Sequence, residues 1–213
     1  MTSHGLAGYG TFTLGVVTDN DDPESRGRVK VRLSAIDVEL WAVVAVPSAG
    51  NGYGVSLIPR KDEVVVVGFI SPELPIVIGS VWAGSSPLPS DAAPVEKRYS
   101  ITTPAGTVLL FDDENGPQLK VTTPAGNKFQ LTDDGGGKAL IDVQGTKITI
   151  TSSKVEIQAS GNVEVNAAQV KVSASMVNID AAMVKCSGVV KCETLIATSV
   201  VGTSYTPGAG NIW

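Results

Sequence analysis

The segment Gly27-Arg28-Val29-Lys30-Val31-Arg32-Leu33 alternates apolar and basic residues. Successive side chains of a β-strand point to opposite faces, so Val29, Val31 and Leu33 are predicted to share one face and the basic residues the other. The segment is therefore predicted to be a strand with one face toward a core.

Four other segments of the first 81 residues are also predicted to be strands. All five are bounded by clusters of Gly, Pro, Asn or Asp. The predicted strands span residues 11–18, 27–34, 41–46, 62–70 and 75–81. In the fourth, the run Val64-Val65-Val66-Val67 does not alternate, which predicts burial on both sides. Five short strands with turns between them suit a small closed barrel.

The composition of all 213 residues predicts an all-β protein. Val, Thr, Ser, Gly and Ala dominate, and aromatic residues make up only 5%. β-Branched residues pack well on a pleated surface and lose rotamer freedom in helices.

Charge and hydropathy exclude several classes of function. The formal net charge is -5, and there is no run of Lys or Arg of the kind that a nucleic-acid groove needs. No apolar run approaches the roughly 18 residues of a membrane span. Residues 1–10 show no signal peptide, so synthesis in the cytoplasm is expected, with any export by another route such as lysis.

A linker and a repeat follow the predicted barrel. Residues 83–98 are assigned to a linker because their first part is rich in Pro, Ser and Ala. Ile101-Thr102-Thr103-Pro104-Ala105-Gly106 then recurs twenty residues later as Val121-Thr122-Thr123-Pro124-Ala125-Gly126. Each copy is followed by an apolar strand and an acidic turn, which predicts β-hairpin repeats over residues 99–140.

A shorter period begins near residue 141. Pairs of apolar residues at positions i and i+2 start seven, eight, seven, seven, seven and six residues apart. This spacing places both members on one face of a strand but on nearly opposite sides of a helix, so it argues against a coiled coil. The pairs are Ile148/Ile150, Val155/Ile157, Val163/Val165, Val170/Val172, Val177/Ile179, Val184/Cys186 and Val190/Cys192.

One such short strand buries too little to be stable alone. Three chains wound about one axis would pair each strand with a neighbour's and bury the Val/Ile face. The sequence therefore predicts a trimeric β-helical shaft over residues 141–205. Its predicted axial core consists of Ile148, Ile150, Val155, Ile157, Val163, Val165, Val170, Val172, Val177, Ile179, Val184 and Cys186.

Three stretches of the chain resemble the baseplate assembly protein V family of contractile phages and the related VgrG proteins of type VI secretion. The stretches are Gly15-Val16-Val17-Thr18-Asp19-Asn20 with Gly27–Leu33, Pro59–Val66 with Pro75–Trp82, and the pair of Thr-Pro-Ala-Gly hairpins. The resemblance implies an OB-fold head over residues 1–82, a trimeric β-helix and a membrane-piercing role at the tip of a tail tube. The implied partners are a hub protein at the head and the target cell envelope, and the implied location is a tail baseplate or an extracellular injection particle.

The chain departs from the family in three respects. There is no terminal His-x-His pair to bind iron, since the only histidine is His4. There is no lysozyme-like insertion between head and shaft, and no hub module of the VgrG kind, so a separate hub protein is expected.

The chemically suggestive residues are predicted to be structural. Catalysis by a Ser-His or Cys-His set needs a histidine inside the fold, and His4 lies in a Gly-rich end segment. The acidic clusters at residues 19–22, 112–114 and 133–134 fit turns better than a calcium loop. Cys186 and Cys192 fit packing positions, with an axial metal or redox role as the alternative. We therefore expect no catalytic residue, no metal and no cofactor.

Residues 206–213 break the pattern of pairs, and two interpretations remain open. The segment is either a frayed tail or a tip segment that closes the shaft or seats a separate PAAR-repeat tip protein. The candidate contacts are Pro207, Gly208, Ile212 and Trp213.

Two alternative functions come from other classes. A receptor-binding tail fibre would normally carry a bulky distal head. A nucleic-acid-binding OB-fold protein would need basic and aromatic residues on its barrel, and this head is rich in acids and poor in aromatics.

Overall fold

The computed structural model describes residues 12–83 and 87–204. The chain divides into two compact units, residues 1–163 and 164–213. The strands of the first unit are β1 (Thr13–Asp19), β2 (Val29–Leu33), β3 (Glu39–Val44), β4 (Ala49–Gly50), β5 (Tyr53–Gly54), β6 (Val64–Ser71), β7 (Leu74–Val81), β8 (Arg98–Thr102), β9 (Val108–Asp112), β10 (Gln118–Thr122), β11 (Lys128–Thr132), β12 (Lys138–Val143), β13 (Thr146–Thr151) and β14 (Val155–Gln158). Two 3₁₀ turns lie at Ser90–Ala92 and Asp134–Gly136.

Five strands close into a barrel in the order β1-β2-β3-β7-β6. All neighbours are antiparallel except β3 and β7, which are parallel. The five predicted strands are thus confirmed, with bounds shifted by one or two residues. Small β-branched side chains fill the narrow interior, and the buried core consists of Val17, Val29, Val31, Leu33, Ala42, Val65, Val67 and Val77.

The alternation of β2 is confirmed, whereas the expectation for the valine run of β6 is wrong. Val65 and Val67 are buried in the core, but Val64 and Val66 are only half-buried on the outside of the barrel. The barrel wall is a single layer, so its strands bury one face only.

The turn-rich segment after β3 contains a hairpin, β4–β5, that the sequence did not predict. The ring of Tyr53 lies against Gly50, at the position where any β-carbon would sit. A larger residue at position 50 would require the exposed Tyr53 side chain to move aside.

Seven antiparallel strands, β8 to β14, form a second sheet in chain order. The two copies of the sequence repeat make the same turn. Thr103 and Thr123 donate backbone N–H bonds to the carbonyls of Thr107 and Asn127, at 2.9 and 3.0 Å. Gly106 and Gly126 have φ of +86° and +81°, a conformation that favours glycine. The sheet continues to Gln158, past residue 140, and the domain bounds stay predictions.

Residues 159–204, as far as the structure describes them, contain no strand, and almost all of them are exposed. The trimeric β-helix stays a prediction for this part of the chain.

Candidate assembly surface

One face of the seven-stranded sheet is entirely apolar along its two central rows. Directly paired residues of antiparallel strands point to the same face, so the strand register defines each row. The first row is Tyr99, Phe111, Leu119, Leu131, Ala139, Ile150 and Val155. The second row is Ile101, Leu109, Val121, Phe129, Ile141, Ile148 and Ile157. The rows are two residues apart on every strand, so they share one face.

This apolar face is open to solvent in the single chain. Tyr99 is 74% exposed and Val155 is 67% exposed. Seven further members of the rows are exposed, namely Ile101, Phe111, Phe129, Leu131, Ile141, Ile150 and Ile157. The other five are partly buried, namely Leu109, Leu119, Val121, Ala139 and Ile148. A contiguous exposed apolar patch of this extent is typical of an interaction surface.

The opposite face of the sheet is mixed in character. Its central row joins Ser100, Leu110, Lys120, Gln130 and Leu140, and Leu110 is buried. The buried carboxylate of Asp112 lies 3.2 Å from Arg98 and 3.8 Å from Lys120. Arg98 also pairs with Glu114 at 2.7 Å, and the side chain of Gln130 donates a hydrogen bond to Gln118 at 3.1 Å. Continuous apolar rows therefore lie on the first face only.

The backbone N–H of Glu114 donates to Asp112 and, with the Arg98 guanidinium, holds the pKa of this carboxyl below its usual value against the opposing effect of burial. The hydrogen bond to Asp112 raises the pKa of Arg98. The network thus fixes the acidic turn after β9 to the start of β8.

Four of the predicted axial residues lie on the apolar face. Ile148 pairs with Ile157, and Ile150 pairs with Val155, so β13 and β14 bring these side chains together. The other eight lie after the sheet and are exposed, and their axial role stays a prediction. They are Val163, Val165, Val170, Val172, Val177, Ile179, Val184 and Cys186.

The sequence analysis missed the ten apolar residues that strands β8 to β12 contribute to this face. The signal was present, because pairs at i and i+2 recur every ten residues from Tyr99 onward. The missed pairs are Tyr99/Ile101, Leu109/Phe111, Leu119/Val121, Phe129/Leu131 and Ala139/Ile141.

Carboxylates of the first two acidic clusters accept hydrogen bonds from their own turns, as the turn interpretation expects. Asp22 accepts hydrogen bonds from the backbone N–H groups of Glu24, Arg26 and Arg28 at 3.0, 2.9 and 3.2 Å. The guanidinium of Arg28 lies 2.8 Å from the same carboxylate and 5.6 Å from the centre of the Trp41 ring. The hydrogen bond from Arg28 holds the pKa of Asp22 far below its ordinary value.

The described residues contain no group of three or more His, Cys, Asp or Glu side chains arranged to hold a metal ion. Cys186 and Cys192 form no disulfide and are exposed. His4, Pro207, Gly208, Ile212 and Trp213 lie outside the described residues. Within the same ranges, no helix is both long and apolar enough to cross a membrane.

The closed five-stranded barrel with its valine core defines the class of small OB-type barrels. Residues 13–82, from the start of β1 to the residue after β7, match the family of the type VI secretion system/phage-baseplate injector OB domain. Over the barrel, this match confirms the resemblance to the injector proteins of phage baseplates and type VI secretion systems. A search of curated proteins found no match.

Proposed function

We propose that the chain is the central spike of a contractile tail or injection machine and works as a homotrimer. The observation that carries this proposal is the uncovered apolar face of the seven-stranded sheet. A single-layer sheet cannot bury such a face by itself, whereas other copies of the chain can cover it.

The gain from covering the face is comparable with the cost of association. Burying a half-exposed Leu, Ile or Phe contributes roughly 1 kcal/mol. A dozen such residues per chain together offset an association cost of about 4–15 kcal/mol. Two sheets packed face to face would also cover the residues, but the resemblance to the spike family favours three copies around an axis.

In this proposal the spike acts mechanically and is not an enzyme. The barrel docks on a separate hub protein, and contraction of the sheath drives the tube and spike into the target envelope. Shared strands and a continuous apolar core leave no compliant hinge along the shaft. The C-terminal end is capped by the chain's own last residues or by a PAAR-repeat tip protein.

The number of copies is measured directly by light scattering coupled to gel filtration and by native mass spectrometry. We expect three times the chain mass of 22.0 kDa. A monodisperse monomer would contradict the proposal, and a dimer would replace the three-fold shaft by a face-to-face sandwich.

A further inference from the structure

The chain contains two Asn-Gly dipeptides, at Asn51-Gly52 and Asn115-Gly116. In such a dipeptide the backbone nitrogen of the glycine can attack the side-chain amide carbon of the asparagine, because glycine has no side chain to obstruct the approach. Both asparagines are exposed, so exposure does not distinguish them. The backbone around each dipeptide does distinguish them.

Asn51 and Gly52 form the tip of the β4–β5 hairpin. Gly50 pairs with Tyr53 across the hairpin, so the two residues between them are the whole turn. Gly52 has φ of +79°, and a β-carbon built on it would meet nothing within 4 Å. Within the described residues, the Gly52 N–H forms no backbone hydrogen bond, so this nitrogen is open to react. A hairpin of two short strands is only marginally stable by itself, so its tip can rotate.

The second dipeptide lies in the acidic turn after β9, and this turn is held on both sides. The Glu114 side chain pairs with Arg98 at 2.7 Å, and the Glu114 backbone N–H donates to Asp112 at 3.0 Å. On the other side, the carbonyl of Pro117 accepts a hydrogen bond from the backbone N–H of Asp133 at 3.2 Å. Attack by the glycine nitrogen requires the asparagine backbone to rotate out of its ordinary β or α conformation. These bonds oppose that rotation in the second dipeptide.

We infer that Asn51, and not Asn115, is a site of spontaneous modification in the folded chain, where the side-chain amide is converted to a carboxylate. The Gly52 nitrogen loses its proton to water or hydroxide and bonds to Cγ of Asn51, and the side-chain nitrogen leaves as ammonia. Water then opens the resulting cyclic imide at either carbonyl. One product is aspartate, and the other is isoaspartate, in which the main chain runs through Cγ. The net reaction consumes one water and releases one ammonia.

Either product changes the β4–β5 hairpin. Each converted chain gains one negative charge beside a cleft that Arg26, Gly52 and Tyr53 line. Isoaspartate lengthens the main chain of a two-residue turn, so it disturbs the pairing of Gly50 with Tyr53 and the contact between the Tyr53 ring and Gly50. The reaction needs no partner copy, so the inference does not depend on the proposed function.

Peptide mapping by mass spectrometry of the full-length chain, incubated at neutral and mildly alkaline pH, tests the inference. Asn115 is the internal control, because it is also exposed and also precedes a glycine. We expect Asn51 to convert several-fold faster than Asn115 in the folded chain, and the two rates to become similar in urea. Because the attacking nitrogen must lose a proton, both rates should rise with pH. Equal rates in the folded chain, or conversion of Asn51 only in urea, would overturn the inference.

Two variants give a second, independent measurement. Asn51→Gln keeps the amide but would require a larger ring, so we expect it to abolish conversion in this peptide. Arg98→Gln removes the ion pair that holds Glu114, so we expect Asn115 to convert several-fold faster while Asn51 keeps its rate. A folded Arg98→Gln chain in which Asn115 stays slow would contradict the inference that the fold separates the two sites. A difference between the two sites that persists unchanged in urea would contradict it as well.

Discussion

The barrel and the seven-stranded sheet use the same alternation of apolar and polar residues with opposite results. In the barrel, closure turns the apolar face inward, and Val17, Val29 and Val31 are fully buried within one chain. In the sheet, strands of similar length stay in one open layer, so Phe111 and Leu131 remain exposed. The difference shows that closure decides whether a strand pattern gives a self-sufficient core or an uncovered apolar face.

The largest expected effect comes from a charge on the apolar face. Phe129→Asp would place one carboxylate per chain in a water-excluded core, at a cost of several kcal/mol for each copy. We expect the measured mass to fall from that of a trimer to that of a single chain while the barrel stays folded. Gln130→Asp, on the polar face of the same strand, is the matched control. Equal tolerance of the two changes would mean that the apolar face is not the interface.

The part of the chain after the sheet extends the same comparison. Replacing Val170 and Val172 with Asp is expected to prevent assembly if their pair faces the axis. Lys171→Asp, between them, should be tolerated because alternation places it outside. Light scattering of both variants measures the effect. Assembly unaffected by the double change would remove this segment from the core.

A smaller effect is expected inside the barrel. Val31→Ala removes two methyl groups from a fully buried site and should cost about 2 kcal/mol of barrel stability. Because the barrel has its own core, the trimer mass should be unchanged. Urea denaturation followed by tryptophan fluorescence, to which Trp41 of the barrel contributes, measures the loss. The control Val64→Ala, at a half-buried position, should lose less, and a loss equal to that of Val31→Ala would place Val64 in the core as well.

The smallest effect concerns the loop that leads into β2. The bond to Arg28 lowers the pKa of Asp22 in the folded chain. The ionised Asp22 therefore stabilises the fold at pH values above its pKa in the unfolded chain, which is about 4. This contribution is lost progressively as the pH falls below that value. Asp22→Asn should therefore lower the melting temperature at neutral pH, and the difference from the parent chain should shrink on acidification below pH of about 4. Asp21→Asn, at an exposed neighbour, should change little. A difference that is independent of pH would contradict the ionic contribution.

Local pattern was enough to predict the barrel because its strands are short and rich in valine, and clear turn residues separate them. The half-exposure of Val64 and Val66 was not predictable in this way, because it depends on whether another layer covers β6. The apolar pairs of β8 to β12 recur in the sequence, but the alignment of Tyr99, Phe111 and Leu119 in one row depends on the register of neighbouring strands. The axial role of the pairs from Val163 onward depends on other chains and remains a prediction.

The open face of the sheet also has a consequence for how the protein is made. The barrel folds within a single chain, because one chain holds every part of its core. Its folding rate therefore does not depend on protein concentration. The sheet pairs only neighbouring segments of the chain, but in the proposed trimer its apolar rows stay exposed until other copies bind, so assembly would depend on protein concentration. At low expression, unassembled single chains would persist longer with their apolar rows accessible to chaperones and proteases. Synthesis of several copies from one message, close together in space, shortens that wait.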